Sequence, residues 1–431
     1  MILASLLLLA VALLGAPLFA VIAAGALLGF YRSDVDLSVV AIEMYRLADT
    51  SALVAIPLFT FAGYLLSESR ASQRLVRLTE AVIGWLPGGL AIMALATSAF
   101  FTALTGASGV TIIALGALLY PALTRAGYGE RFSLGLITSS GSLGLLFPPS
   151  IALILYGVIA QQVSVGQPVS IDDLFIAGLL PGLLMVAILS IWCVWAGRAR
   201  MQARAAFSWR EARAAAREAI WELPLPFVVL GGVYSGYFAI SEAAAVSVLY
   251  VFVAELLIYR EIHLAQLPAI MRDSMVLVGG VLIILAVSFG STNYLVDAGV
   301  PARLFEFIKD NVDSKIAFLM LLNIFLLVLG MMLDIFSALI IMVPLLLPIA
   351  VGYGIHPIHL GIIFLANMQI GYFTPPVGMN LFIASYRFNK SIVELSRATL
   401  PFMLVLLLAV LIITYWPGLS LALLKSPSPP V

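Results

Sequence analysis

Apolar runs of about 20 residues recur along the whole chain, and a helix of that length crosses the hydrocarbon of a bilayer. Candidate crossings are 2–29, 51–68, 133–161, 174–196, 220–239, 242–259, 274–293 and 398–424. Two further stretches, 88–124 and 314–352, are long enough for two partial crossings each, and a third, 357–388, contains a break. Of the 431 residues, 63% are hydrophobic and only 10% charged, too little polar material to cover a water-facing surface. The sequence therefore predicts an all-α polytopic membrane protein.

Charge and rare residues narrow the chemistry. The 22 basic and 22 acidic residues cancel without forming a basic stripe, so nucleic acid is not an expected partner. The single cysteine, Cys193, lies in an apolar run and reads as a small buried hydrophobe, which excludes an internal disulfide, a zinc knuckle or a paired-thiol site. His356 and His359 are spaced i, i+3 with no acid beside them and read as loop residues at a membrane surface rather than as metal ligands. Residues 1–30 lack a basic start and exceed the roughly 7 to 15 apolar residues of a secretory signal core, so they read as a retained first span.

Lys and Arg concentrate in cytoplasmic loops, and this fixes orientation. Arg70, Arg74 and Arg77 mark one such loop, Arg125 and Arg131 another, and six arginines between Arg198 and Arg217 a third. Arg260 and Arg272 follow, then Arg387, Lys390 and Arg397, which leaves the N-terminus cytoplasmic. Arg77 and Arg125 then share a side although 88–124 is apolar between them, so that stretch must enter and return. By the same reasoning 314–352 starts and ends outside. Residues 72–85 place Leu75, Leu78, Val82 and Trp85 at helical spacing with arginines among them, which suits a helix lying in the interface, and 203–219 reads similarly.

The two halves repeat. Pro121 to Pro148 and Pro348 to Pro375 are both 27 residues apart, so the pairs coincide at a constant offset of 227. At that offset Gly127 meets Gly354, Gly144 meets Gly371, and Pro149 meets Pro376. Because the halves begin on opposite faces the repeat is inverted, the plan in which secondary transporters place a site at mid-membrane between broken helices.

Four breaks interrupt these segments: Thr105-Gly106-Ala107-Ser108-Gly109, then Gly141 to Ser150, then Gly330 to Asp334, and Gly371 to Gly378. Opened turns at glycine free carbonyl oxygens, and Thr105, Ser108 and Thr374 add hydroxyls. Neutral oxygens of this kind suit a hard cation, for which sodium is the natural candidate. The pairs Pro148-Pro149 and Pro375-Pro376 begin the next half-helices, whose unpaired N–H groups favour a carboxylate there, with Ser150 and Asn380 beside them. The same residues also permit close packing and kinks, but four breaks in matched pairs favour a binding site. Asp334 stands alone as a charge in the apolar run 316–355, where an unpaired carboxylate costs several kcal/mol, and it matches Ala107 at the repeat offset. It is a candidate cation ligand, with a structural hydrogen-bonded Asp as the alternative. Glu242 reads as a helix-start carboxylate, and Asn367 and Asn380 either line the site or bond between helices. No G-x-x-x-x-G-K-[ST] loop is present, and no Ser-His-Asp arrangement can be assembled, so neither that mode of ATP binding nor enzymatic catalysis is expected.

At these residues the chain resembles the large membrane subunit of tripartite ATP-independent periplasmic (TRAP) transporters. The resemblance runs through Ile56-Pro57-Leu58-Phe59, TGASGVT at 105–111, GSLGLLFPPS at 141–150, Ser241-Glu242-Ala243-Ala244, Met332-Leu333-Asp334 and FTPPVGMNLF at 373–382. It departs at Ala239-Ile240-Ser241-Glu242, where relatives often carry Thr-Pro-Thr-Glu.

The resemblance implies an elevator transporter of the bacterial inner membrane, in which sodium enters with a small organic anion delivered by a periplasmic substrate-binding protein. A small four-helix membrane subunit, expected here as a separate chain, completes the complex. Sodium sites are implied where each hairpin tip meets its neighbouring break, at Ser108 with Gly144 and at Asp334 with Gly371. Thr105, Gly106, Gly330 and Thr374 join that candidate sodium set, and Ser150, Pro148, Pro149, Pro375, Pro376 and Asn380 form the candidate substrate set. No cofactor beyond sodium as coupling ion and no transition metal is expected. The implied division is a scaffold over 1–87, 162–313 and 390–431, with transport-domain repeats over 88–161 and 314–389. A stand-alone divalent-anion transporter of related architecture is the alternative.

Overall fold

The computed structural model describes residues 8, 10–11, 14–48, 50–86, 88–197 and 207–424. The start of the first predicted span and residues 198–206 of the arginine-rich segment lie outside them. Among the described residues seven helices are long and apolar enough to cross a membrane, or up to nine if two bent pairs each count as one span.

The chain opens with α1 (Leu18–Arg32) and α2 (Ser38–Ala48), which pack on the long α13 (Leu267–Asp297). Helix α3 (Ala55–Glu68) lies against α12 (Ile240–Phe252) and α13. It then turns through 75° into α4 (Ala71–Ile83), the first predicted interfacial arm. Arg74 on α4 is buried among three carboxylates: it binds Glu222, lies 2.6 Å from Glu261 and 3.1 Å from Glu255, and stacks 3.9 Å over the Tyr259 ring. Burial holds the Glu222 carboxyl above its usual range despite the guanidinium beside it. Arg77, one turn on, pairs with Glu211 and Glu218 of α10 (Trp209–Glu218), the described part of the second arm. Ion pairs thus tie the two arms to each other. Helix α11 (Pro224–Tyr234) follows, and Glu242 at the start of α12 accepts the Ala239 N–H, so its carboxylate serves the helix end.

The apolar stretch 88–124 divides into α5 (Gly89–Thr105) and α6 (Ser108–Arg125), and 133–161 into α7 (Glu130–Ser140), a 3-10 turn at Leu143–Leu146 and α8 (Ile151–Val163). In the second half α15 (Lys315–Met332), α16 (Ile335–Gly352), α17 (Pro357–Gly371) and α18 (Met379–Phe388) follow the same plan. Adding 227 to the bounds of α6 gives those of α16, and adding it to Glu130 gives Pro357, where α17 begins. The turns repeat too: Gly127 and Gly354 are both left-handed, with φ of 85° and 70°. Repeat partners exchange neighbours, since α8 packs on α16 and α18 on α6.

Helix α9 (Ile171–Gly197) and α19 (Ile392–Tyr415), assigned to the scaffold from sequence, pack on the broken helices: α9 on α5, α8 and α17, α19 on α7 and α17. Gly178 and Gly182 of α9 allow this approach, because a Cβ on Gly178 would lie 2.2 Å from the Leu146 carbonyl oxygen and one on Gly182 2.9 Å from the Phe147 ring. The helices α14 (Val300–Asn311) and α2 are short and carry charges, and no apolar run announces them. His359 is a correction: it is a buried residue of α17, with Nδ1 3.1 Å from Ser420 Oγ and Nε2 3.2 Å from the Thr414 carbonyl, because the helix begins at Pro357 and its first turn is covered by α19 and α20 (Gly418–Leu421). His356 lies just before this helix, its ring accepting the Ile358 N–H as the cap of α17. Cys193 is a buried free thiol.

Candidate functional site

The turn that joins α5 to α6 meets the break after α7, and the turn that joins α15 to α16 meets the break after α17. In the first, Gly106 takes a left-handed φ of 68° that only glycine adopts without strain, which ends α5 and lets α6 start two residues later. The fold-back is held by hydroxyls: Thr102 Oγ1 lies 2.7 Å from Thr111 Oγ1 across the turn and donates 2.9 Å to the Gly141 carbonyl, the first residue of the break. Thr105 donates back to Phe101 within α5. Gly144 is pressed on α5, where a Cβ would lie 2.3 Å from the Ala99 carbonyl oxygen. Ser108 is buried at the tip, and a Cβ on Gly141 would come within 3.3 Å of its carbonyl oxygen. Pro148 and Pro149 are joined by a cis bond, and Ser150 caps α8, accepting the Leu153 N–H.

The second repeat reproduces this contact with different groups. The break in the hairpin is narrower than the sequence suggests, Leu333–Asp334 alone, because Gly330 to Met332 remain helical until Asp334 takes an extended ψ and caps α16. Its Oδ1 accepts the N–H groups of Phe336 and Ser337, each at 3.0 Å, and its Oδ2 accepts the Ser337 hydroxyl. Asp334 is therefore satisfied as a cap while remaining partly exposed. Gly330 faces Gly371, and a Cβ on Gly371 would sit 2.6 Å from the Gly330 Cα. Gly378 donates its N–H to the Met331 carbonyl, and the Ile335 N–H reaches the Tyr372 hydroxyl at 2.7 Å. Thr374 bonds back to Ile370, and Pro375-Pro376 is again cis.

A polar seam joins the two breaks. Ser142 Oγ donates 2.9 Å to the Gln369 carbonyl, and these residues are repeat partners 227 apart. Four positions earlier, the Thr138 carbonyl accepts Asn380 Nδ2 at 3.3 Å. Gln369 is buried with neither side-chain amide atom bonded, and Asn380 Oδ1 is also free. Asn367 instead bonds Asn323 of α15 at 2.7 Å, an interhelical tie. A buried amide without partners costs on the order of 1–3 kcal/mol, so this seam suits groups that arrive from elsewhere. The two breaks differ in access: Pro148 to Ser150 are buried, whereas Pro376, Val377 and Met379 are exposed, and Met332 at the second tip is 70% exposed.

The model for the "Tripartite ATP-independent periplasmic transporter, DctM component" family matches residues 2–419. The chain belongs to this family. It is 36% identical over 384 residues to the C4-dicarboxylate TRAP transporter large permease protein DctM of Pseudomonas aeruginosa, covering 89% of this chain and 88% of that one. It is 30% identical to the ectoine TRAP transporter large permease protein TeaC of Halomonas elongata, over 95% and 96% of the two chains. The isethionate TRAP transporter permease protein DctMQ of Oleidesulfovibrio alaskensis is 34% identical over 94% of this chain but 62% of its own length. Among solved structures the YdaH transporter of Alcanivorax borkumensis superposes with a TM-score of 0.61 at 16% identity, over 86% and 85% of the chains, a likeness of fold.

Within this DctM-family chain, the predicted residues gather in two clusters. Thr105, Gly106, Ser108 and Gly144 surround the first tip, and Gly330, Asp334, Gly371 and Thr374 the second. Pro148, Pro149 and Ser150 lie at the first break and Pro375, Pro376 and Asn380 at the second. Sequence reasoning missed Thr102, Thr111, Ser142, Gln369 and Tyr372. Thr102 and Thr111 lie inside helices, where a lone hydroxyl in an apolar run carries little signal. The repeat offset does align Ser142 with Gln369, and that match was the available clue.

Proposed function

We propose that this chain is the membrane pathway of a sodium-coupled importer of a small organic acid, in the bacterial inner membrane, with a periplasmic binding protein delivering the substrate and a small four-helix subunit as a separate partner. The reading of inverted repeats moving as an elevator rests on one observation above the rest: in both halves a helix-pair tip and the following break meet at a close glycine contact, with backbone carbonyls and the Thr102 or Tyr372 hydroxyl at the junction. Such oxygens, joined at the second tip by the Asp334 carboxylate, suit sodium, and a substrate carboxylate is then attracted to the half-helix starts at Ser150 and Met379 only after the cation is in place. The named relatives span C4-dicarboxylates, isethionate and ectoine, which supports a small acid or zwitterion and leaves its identity to the binding protein.

In this proposal the moving repeats are 88–161 and 314–389 and the scaffold is drawn from 1–87, 162–313 and 390–431, except that α9 and α19, which pack on the broken helices, travel with them and not with the scaffold. The exposed second break and covered first break would be one end state of the movement. Uptake in proteoliposomes holding all three components tests the coupling: replacing sodium by potassium or choline should abolish it, and undiminished uptake would reject it. Transport that needs no binding protein would favour the stand-alone reading.

A further inference from the structure

A cavity of about 340 Å³ lies between α5, the first break, α9 and α11, and of the residues given to the transport site only Pro148 lines it. Its walls include Ala99 and Ala103 of α5, Phe147 and Pro148 of the break, Leu183 of α9 and Phe227 of α11. No lining side chain carries a polar or charged group. Water needs two to four polar partners to settle in a cavity, and a carboxylate substrate would find no donor side chain here. The slot arises because α11 leans on α12 and stands off from α5, while small side chains at Ala96, Ala99 and Ala103 leave the facing wall hollow.

Its mouth faces the bilayer rather than water. Leu183 lies midway along the span Ile171–Ala196, which puts the opening near the centre of the hydrocarbon, and Leu183 and Phe227 are 56% and 74% exposed there. The cavity is thus continuous with the lipid-facing surface, and at that depth the neighbouring solvent is acyl chain. If a methylene fills about the ~30 Å³ of a water molecule, the volume takes a segment of roughly ten carbons. We infer that this slot binds the acyl chain of a membrane lipid, held between the wall formed by α5 and the first break and the wall formed by α11. The inference does not need sodium coupling or a particular substrate. It does give the boundary between the gripped helices and α11 a fluid filling in place of interlocked side chains.

The test uses the full chain reconstituted in bilayers containing a phospholipid with a photoactivatable diazirine near the end of one acyl chain. After irradiation, the modified residues are mapped by mass spectrometry. Adducts on the recessed wall residues Ala99, Ala103 and Phe147 are expected, alongside adducts at the remote exposed positions Leu321 and Phe325, which report a folded, inserted chain. Ala96→Trp or, more gently, Ala96→Phe should lower the recessed adducts roughly tenfold, the change that a loss of one order in affinity gives, and leave the remote ones unchanged. Remote adducts without recessed ones would overturn the proposal, as would recessed adducts that neither variant reduces. Recessed adducts that vanish when the small membrane subunit is reconstituted alongside would also overturn it, by assigning the slot to a protein helix.

Discussion

Asp334 shows how one residue can hold two roles that only paired substitutions separate. Its carboxylate caps α16 through two backbone N–H groups, and Asn is as good a cap as Asp. Asp334→Asn should therefore leave thermal stability nearly unchanged while sharply lowering sodium-dependent uptake. Asp334→Ala should lose uptake and also about 0.5–2 kcal/mol of stability, read from a thermal melt. An Asn variant with normal uptake across sodium concentrations would confine Asp334 to capping. Gly371 poses a steric question: a methyl there lies 2.6 Å from the Gly330 Cα, backbone that cannot step aside. Gly371→Ala should cost about 1–3 kcal/mol by overpacking and separate the second tip from its break. A melting temperature and uptake both equal to the parent's would show that the two helices part freely.

Among the elements, the arm α4 depends most on a single side chain. Arg74 neutralises part of a group of three carboxylates on segments distant in sequence, and removing one partner of a buried ion cluster leaves charge uncompensated at about 3–5 kcal/mol. Arg74→Met should thus destabilise the chain far more than Arg77→Met, whose partners are exposed. The sign of the pH effect follows from linkage. Without the guanidinium, the buried Glu222 carboxyl sits further above its unfolded value and the folded state binds more protons, so the Arg74→Met deficit should shrink as pH is lowered from about 8 to about 6. Melts of both variants across that range check the prediction, and a pH-independent deficit would show that packing, not charge, holds the arm. The arm itself was readable from alternating arginines and apolar residues, because an interfacial helix writes its two environments into one turn. Its clamp was not, since Glu222, Glu255 and Glu261 meet Arg74 only through tertiary packing.

For the whole molecule, ligand linkage offers a test that does not require transport. A cation that binds the folded chain alone raises stability by RT ln(1 + [L]/Kd), about 2.7 kcal/mol at a hundredfold excess over Kd. Sodium added at constant ionic strength against choline should raise the melting temperature, and Gly144→Ala together with Asp334→Asn should suppress the shift. An identical response to both cations would remove the proposed sites. What the sequence determined by itself is whatever the bilayer dictates locally. Apolar runs must be helices, and glycine and proline must interrupt them, so most of the spans, the positions of the breaks and the offset of 227 are visible in one dimension, although the run 220–239 forms only the 11-residue α11, too short to cross. The tertiary structure alone decided which breaks touch: that Ser142 reaches its repeat partner Gln369, that Gly371 lies on Gly330, and that α9 grips the first break through Gly178 and Gly182. A small residue in a membrane helix records that something comes close but not what, because the approach is made by a backbone whose position depends on every other helix in the bundle.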